Sequence, residues 1–266
     1  MRQQDVPPVS KAELKIYGKL HQKRHRDAEA LFLAEGLRTV SELLEHLPDP
    51  DLLHALLFRL EEQNAEVFHS RYPGKVFVLT EKECARLSQT ATPAGIFGVF
   101  RKQRFVPFEP EQITRCSLIV ALDEVQDPGN VGTILRTAAW FGADAMICSP
   151  GCADRYNPKT VRSSAGSIYA LPHYGVDSIY LELQRLADAG YSVAASSLDG
   201  HDFREYGSWP RKVVLVIGNE ANGVSPAVQA LAHRLVRIPH AGEKPRVESL
   251  NASVSAAILM ERIAMR

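Results

Sequence analysis

The chain has 266 residues, 45% of them hydrophobic and 23% charged, with 31 basic side chains balanced by 31 acidic ones. That length accommodates about two domains of ordinary size, and the composition is that of a globular protein in water. No apolar run approaches the roughly 18 residues of a membrane span, and residues 1–8 lack an apolar signal core, which points to the cytoplasm.

Residues 11–47 read as mainly helical, interrupted by a short strand over 31–36, with Gly36 turning the chain into the next helix. The first stretch is basic: between Lys11 and Arg26 stand six Lys or Arg residues and one acid, Glu13. Lys11, Lys15, Lys19 and Lys23 recur at every fourth position and would share one side of a helix. With Arg24 and Arg26 they form a candidate phosphate-binding patch, Lys15, Lys19, Lys23, Arg24 and Arg26; a solvated helix face is the plain alternative. After the break at Pro48 and Pro50 the pattern predicts a helix over 52–62, a strand over 75–79, a helix over 81–87 and a strand over 95–100. These make an α/β domain over 1–105. The proline-bearing stretch 106–116 has no apolar periodicity and reads as a linker.

The second domain, 117–266, opens on the continuous apolar strand 117–122, of the kind buried on both faces of a parallel sheet. A helix over 131–141, a strand over 145–148, a helix over 178–189 and strands over 191–196 and 213–217 follow. A short helix over 226–232, a strand over 235–238 and a final helix over 250–265 complete an α/β pattern with helices on both sheet faces. Cys84, Cys116, Cys148 and Cys152 match no common zinc spacing, so no metal is expected.

Three segments could carry chemistry. Asp127-Pro-Gly-Asn-Val-Gly-Thr-Ile-Leu-Arg136 follows the first strand; Asn130 suits a helix cap, and the helix start offers N–H groups to an anion. Arg136 stands among apolar residues and calls for a carboxylate or phosphate. The segment is neither a Walker loop nor a dinucleotide fingerprint, and a structural capping turn is the alternative. Val216-Ile-Gly-Asn-Glu-Ala-Asn-Gly-Val-Ser225 runs from a strand into a polar loop at its carboxyl end, where open parallel sheets bind ligands. There Gly218 would let backbone approach a ligand and Glu220 supplies a carboxylate. Third, Arg237-Ile-Pro-His240 precedes Ser249-Leu-Asn-Ala-Ser-Val-Ser255, in which Ser249 or Asn251 would cap the last helix.

In this order and spacing the three segments resemble the motifs of the SpoU branch of the SPOUT methyltransferases. Asn130-x-Gly-x-x-x-Arg136 is similar to the first motif, Ile217-Gly-Asn-Glu220 to the second, and Ile238-Pro with Ser249-Leu-Asn251 to the third. Residues 21–44 and Thr92-Pro-Ala-Gly-Ile96 resemble the ribosomal-protein-like RNA-binding domain often fused in front of that family. The resemblance implies a parallel-sheet domain tied in a trefoil knot, a homodimer, and S-adenosylmethionine as cofactor. It implies methyl transfer to a ribose 2′-hydroxyl of ribosomal or transfer RNA. Ser197, Leu198, Gly218, Asn219, Ile238 and Leu250 would hold the cofactor. Arg136 would orient the hydroxyl and its neighbouring phosphate, with Asn130, Glu220, Ser249 and Asn251 completing the catalytic set. Two departures stand out: the insert Glu-Lys-Pro-Arg-Val-Glu between Gly242 and Ser249, which brings Lys244 and Arg246, and His240 where the family commonly has methionine. The alternatives are a knotted RNA-binding protein without catalysis and a SPOUT enzyme acting on a base nitrogen; the complete motif set argues against the first.

Overall fold

The structure is a computed structural model that describes residues 6–60, 65–90, 92–105, 109, 115, 117–241 and 246–265. Most of the linker stretch 106–116, Cys116 and the loop segment 242–245 with Lys244 lie outside the described residues. The chain divides into two compact units, 1–103 with 156–170, and 104–155 with 171–266. By sequence order 156–170 belongs with the second domain. The structure assigns it to the first because its apolar side chains Val161, Ile168 and Tyr169 are buried there, and the Tyr169 ring lies tilted to Phe32 and edge-on to Phe100.

The first unit begins with two short helices, α1 (Lys11–Tyr17) and α2 (Lys23–Glu29). Ser10 and Glu13 form a reciprocal capping box at the start of α1. A turn over 18–22 separates the helices, so the four lysines do not lie on one continuous helix, and Lys19 sits in the turn. Strands β1 (Leu31–Glu35), β2 (Leu53–Arg59), β3 (Val76–Leu79) and β4 (Ile96–Arg101) build a sheet in the order β1-β4-β2-β3. Helix α3 (Leu37–Glu45) follows β1, α4 (Ala65–Arg71) precedes β3, and α5 (Glu81–Leu87) follows it.

The helix expected over 52–62 is strand β2. Leu53 and Ala55 through Phe58 are all buried, and the strand lies between β4 and β3. A short run apolar on all sides suits an interior strand, because a helix at a sheet surface needs a polar face. Helices α7 (Pro158–Ser164) and α8 (Ser167–Ala170), unanticipated from sequence, complete this unit.

The second unit is a six-stranded, all-parallel sheet in the order β10-β8-β9-β5-β6-β7. Its strands are β5 (Ser117–Asp123), β6 (Ala145–Cys148), β7 (His173–Gly175), β8 (Ser192–Asp202), β9 (Lys212–Gly218) and β10 (Arg234–Arg237). Helix α6 (Pro128–Trp140) follows β5, α9 (Ile179–Asp188) follows β7, α10 (Pro226–Leu231) follows β9, and α11 (Ala252–Ala264) ends the chain. Every residue of β5 is buried, as its position mid-sheet requires. Ile119 and Ala121 pack into a cluster with Ile179, Leu183 and Leu186 of α9 and Val228 of α10. By the two-residue period of a strand, Leu118, Val120 and Leu122 point to the other face, where α11 packs on α6 and β9.

Two features of this sheet shape its carboxyl edge. Alongside β10, β8 keeps register up to Ala195 opposite Leu235 and resumes with His201 opposite Val236. Residues 196–200 therefore bulge outward, which no period-two reading of the sequence reveals. Gly200 closes that bulge, since a Cβ there would lie 2.5 Å from the Leu235 oxygen. Among the described residues no helix is long and apolar enough to cross a membrane.

Candidate active site

The carboxyl ends of β5 and β9 lie side by side, with Asp123 opposite Gly218. Beyond β5, Glu124 takes a left-handed backbone conformation (φ 58°), uncommon for a residue with a Cβ. It is clamped there: its N–H donates to Ser149 Oγ at 2.8 Å and its carbonyl accepts from Asn219 Nδ2 at 2.8 Å. Asp127 then caps α6 by accepting the N–H of Asn130 at 3.0 Å, with Pro128 in the first helical turn. The cap is thus Asp127 rather than Asn130, and the helix begins at Pro128 rather than Val131. The Asp-Pro pair carried that signal in the sequence.

Beyond β9, Asn219 and Gly223 exchange both backbone hydrogen bonds, at 3.0 and 2.9 Å, closing a tight loop. A Cβ on Gly218 would sit 2.2 Å from the Gly223 carbonyl carbon and 2.2 Å from the Val224 nitrogen. Gly218 is therefore required by the loop's own closure before any ligand is considered. The Asn219 side chain is likewise occupied, its Oδ1 accepting the N–H groups of Ala221 and Asn222 and its Nδ2 bound to Glu124. It shapes the loop and offers a ligand only backbone. Asp123, buried, accepts the N–H of Ser225 at 2.8 Å and fixes the loop's far end.

Three of the expected catalytic residues meet in one chain of hydrogen bonds. Glu220 accepts from Asn130 Nδ2 at 2.9 Å and from the N–H groups of Gln126 and Asp127 at 3.3 and 3.4 Å. Asn130 Oδ1 accepts from Asn251 Nδ2 at 3.0 Å. Asn251 Oδ1 caps α11, accepting from the N–H of Ser253 at 2.9 Å, the Ser253 hydroxyl at 2.7 Å and the N–H of Val254 at 3.4 Å. The direction of every bond follows from the two ends. An oxygen must face the helix N–H groups, so Asn251 donates onward. Asn130 must then accept from it and donate to Glu220, which is the acceptor at the end of the line. Burial works against ionisation of Glu220, but the hydrogen bonds from Asn130 and the Gln126 and Asp127 backbone outweigh it and hold its carboxyl below the ordinary value. The N–H groups before α6 are thus filled by Glu220 and Asp127, so this turn does not present an open anion site.

Arg136 stands apart from that chain. It lies six residues beyond Asn130, about 9 Å along the helix axis, is exposed, and has no hydrogen bond or ion pair among the described residues. With Thr137 and Trp140 it lines an open hollow of about 240 Å³. Glu220 and Asn251 therefore hold the motifs together and do not touch Arg136. Ser249 is exposed and leaves the cap of α11 to Asn251.

The expected cofactor residues fall into two groups. Gly218 and Asn219 are buried and structural, whereas Ser197 and Leu198 stand on the β8 bulge, Ile238 follows β10, and Leu250 precedes α11. Leu198 is 64% and Leu250 45% exposed, uncovered apolar surface at the carboxyl edge of the sheet.

In the first unit Lys15, Lys19, Lys23 and Arg24 are exposed. Lys23 pairs with Asp27 at 2.9 Å, and Asp27 also meets Lys102. Arg26 does not belong to this patch. It is 2% exposed, and its Nη1 donates to the carbonyls of Leu20 and His21 at 2.7 and 2.8 Å. A guanidinium satisfies the turn between α1 and α2, whose carbonyls would otherwise be buried without partners.

Comparison with known proteins gives a concordant picture. A family model described as the SpoU rRNA Methylase family matches residues 117–261, and one described as an MRM3-like substrate binding domain matches residues 11–98. The 23S rRNA (guanosine(2553)-2'-O)-methyltransferase RlmP of Bacillus subtilis is 29% identical over 257 residues, covering 96% of this chain and 97% of that protein. The 23S rRNA (uridine(2479)-2'-O)-methyltransferase of Streptomyces viridochromogenes is 36% identical over 258 residues, covering 92% and 85%. The crystal structure of an AdoMet-bound rRNA methyltransferase from Sinorhizobium meliloti superposes with a TM-score of 0.80 at 31% identity, covering 98% and 97%.

Proposed function

The chain belongs to the SpoU rRNA methylase family, and from that premise we propose that it is an S-adenosylmethionine-dependent enzyme that methylates a ribose 2′-hydroxyl of ribosomal RNA. The observation that carries this reading is the contrast within the first motif. Asn130 is wholly engaged in joining Glu220 to Asn251, while Arg136 on the same helix is exposed and unpartnered among the described residues. A fully satisfied frame carrying one exposed guanidinium is an arrangement for receiving an anionic substrate. The names of the two relatives above, both ribose methyltransferases of 23S rRNA matched over most of this chain, support the choice of nucleic acid and reaction.

The residues at the carboxyl edge fit the cofactor. Leu198, Ile238 and Leu250 offer apolar surface to an adenine ring, and the loop Gly218–Gly223 and the bulge 196–200 bring backbone groups beside it. Bound S-adenosylmethionine supplies a methyl group on a sulfonium, already a good leaving group. What remains for the protein is to place the hydroxyl in line and remove its proton. The Arg136 guanidinium holds the ribose through the adjacent phosphate and steadies the oxygen as its proton passes to solvent water. Asn130, Glu220 and Asn251 are positioning residues that fix the helix bearing Arg136.

The enzyme works as a homodimer. Trp140 on α6 is 84% and Val254 on α11 47% exposed, on two helices that pack together. An indole left in water beside Arg136 suits a second copy of the chain, whose cofactor site Arg136 would then face. The first unit holds the RNA through Lys15, Lys19, Lys23 and Arg24. We place the enzyme in the cytoplasm, a reducing compartment in keeping with its free cysteines Cys84, Cys148 and Cys152.

The test is methyl transfer from labelled S-adenosylmethionine to unmodified ribosomal RNA, with Arg136→Ala alongside and the label located after digestion. Label on a ribose in the wild type, lost in the variant, supports the reading. Label on a base overturns it.

A further inference from the structure

The SpoU family match covers residues 117–261, yet 156–170 within it fold into the first unit. There α7 packs on β1, and beside them lies a cleft for which the methyl-transfer reading has no use. Its apolar floor includes Leu33 and Val161, both buried, and its polar lining is His21, Glu35, Thr39, Gln89 and Arg162. The free volume is about 10 Å³, room for one water-sized group. We propose that this cleft takes the 2′-hydroxyl of an unpaired RNA nucleotide whose phosphate rests on Arg162, so that the first unit tells RNA from DNA.

The lining is fixed by the protein's own hydrogen bonds, and two of its polar groups are left over. His21 is held at both ends: Arg26 Nη1 donates to its carbonyl at 2.8 Å, and its Nε2 lies 2.8 Å from the Leu87 carbonyl. A carbonyl only accepts, so Nε2 carries the proton. Burial pushes the His21 pKa down, which keeps the ring neutral and leaves a lone pair on Nδ1. That Nδ1 is buried without a hydrogen-bond partner, a cost that a donor entering the cleft would relieve. Thr39 is 7% exposed, and its hydroxyl has no partner among the described residues. A hydroxyl group matches this pair, because it donates once, to Nδ1, and also accepts, from Thr39.

Charge decides which part of the nucleotide enters. Glu35 Oε1 accepts from the Ser88 and Thr90 hydroxyls at 2.7 and 3.4 Å and from the Ala94 N–H at 3.2 Å. These bonds fix the loop that brings Gln89 to the rim. The carboxylate repels a phosphate inside the cleft, so a neutral hydroxyl goes in and the anion stays outside. Arg162 stands at the rim, exposed and without a hydrogen bond or ion pair among the described residues. Its planar guanidinium can hold a phosphate through two N–H groups. The 2′-hydroxyl and the 3′-phosphate sit on adjacent ribose carbons, so one nucleotide reaches both. The 2′-hydroxyl is also the group by which a protein distinguishes RNA from DNA.

The choice of RNA rests on the proposed function, but the role of the cleft is read from binding alone. Full-length protein without S-adenosylmethionine is titrated into three labelled single strands of one mixed sequence: RNA, DNA, and RNA methylated at every 2′-hydroxyl. RNA should bind roughly fivefold more tightly than either of the others, the worth of about one hydrogen bond, since the cleft has no space for an added methyl. Thr39→Val keeps the side-chain shape and should erase most of that preference while leaving DNA affinity unchanged. Arg162→Ala should weaken RNA and DNA alike and make the salt slope shallower by about 1. Arg38→Ala, which removes an exposed arginine of the same unit that Glu42 already holds at 3.0 Å, should change neither. Equal affinity of the wild type for the three strands overturns the inference, as does a Thr39→Val protein with the full preference. A wild type that labels a ribose yet binds the three strands equally refutes the cleft and leaves the proposed function standing; one that neither binds nor labels RNA refutes both.

Discussion

Replacing Asn130 by Asp keeps the shape of the side chain and reverses one end of its hydrogen bonding. The oxygen facing Asn251 is unchanged, but the donor to Glu220, 2.9 Å away, becomes a second carboxylate oxygen. Two unit charges at that distance repel by about 6 kcal/mol at an effective dielectric near 20. Glu220 is exposed, and solvent screening reduces this to about 2–3 kcal/mol. That repulsion raises the upper apparent pKa of the pair above the ordinary carboxylate range. In the variant the folded state then binds more protons than the unfolded state from the ordinary carboxylate pKa up to the raised one, so its stability falls as pH rises through that window. The wild type has the opposite slope, because the Glu220 carboxyl is held below its ordinary value. Its contribution is present above the unfolded pKa and lost as pH falls through the folded one. Melting curves of both proteins from pH 4.5 to 8 should show a deficit of roughly 5–10 °C for Asn130→Asp at pH 8. That deficit should shrink toward pH 5. A deficit of equal size at every pH would mean that the Asn130–Glu220 contact is not the charged hydrogen bond described here.

Arg136→Ala should lower kcat by at least about 10²-fold through lost positioning. Its melting temperature should stay within about 1 °C of wild type, because the side chain is exposed; a large loss of stability would assign Arg136 to the frame. Arg26→Ala should cost about 3 kcal/mol by leaving buried carbonyls unpaired, whereas Arg24→Ala should change stability by less than about 0.5 kcal/mol, both read by urea denaturation. Exchanging Lys15, Lys19 and Lys23 for Gln should make the slope of log K against log salt for RNA binding shallower by roughly 2. Lys23 should contribute least, since Asp27 already pairs with it. Gly218→Ala should destabilise the second unit by about 2–3 kcal/mol through overpacking and weaken S-adenosylmethionine binding, measured by calorimetry.

The second unit was largely legible because its strands are buried on both faces and its loops carry dense, unusual chemistry. Asn130, Glu220 and Asn251 could be selected from motif spacing, yet their bonding could not, since it joins residues 90 and 121 positions apart. The knot belongs to what resemblance alone could imply, because apolar periodicity carries no information about threading. The first unit was less legible for definite reasons. Strand β2 and a buried helix present the same continuous apolar run, and only pairing with β4 and β3 decides between them. Arg26 stands in a basic run beside exposed Arg24, and no local pattern distinguishes a guanidinium that serves phosphate from one that serves carbonyls. The segment 156–170 joins the first unit through packing at long range, which domain reading by sequence order cannot see.

Hydrogen-bond satisfaction separates the residues that build this site from those that act in it. Asn219, Asn130 and Asn251 have three different places in the motifs, and in each the side-chain amide is used at both ends by the protein itself. An amide so committed cannot also recognise a substrate without breaking a bond worth about 1 kcal/mol or more. Removing any of the three should therefore appear in stability and in cofactor affinity together. Arg136 is the reverse case, a permanent charge kept in water on a rigid helix that begins with a proline and a carboxylate cap. In the function proposed above, its charge is left for a group that arrives from outside. Sequence motifs mark both kinds of residue alike, and only the accounting of donors and acceptors tells the frame from the working group.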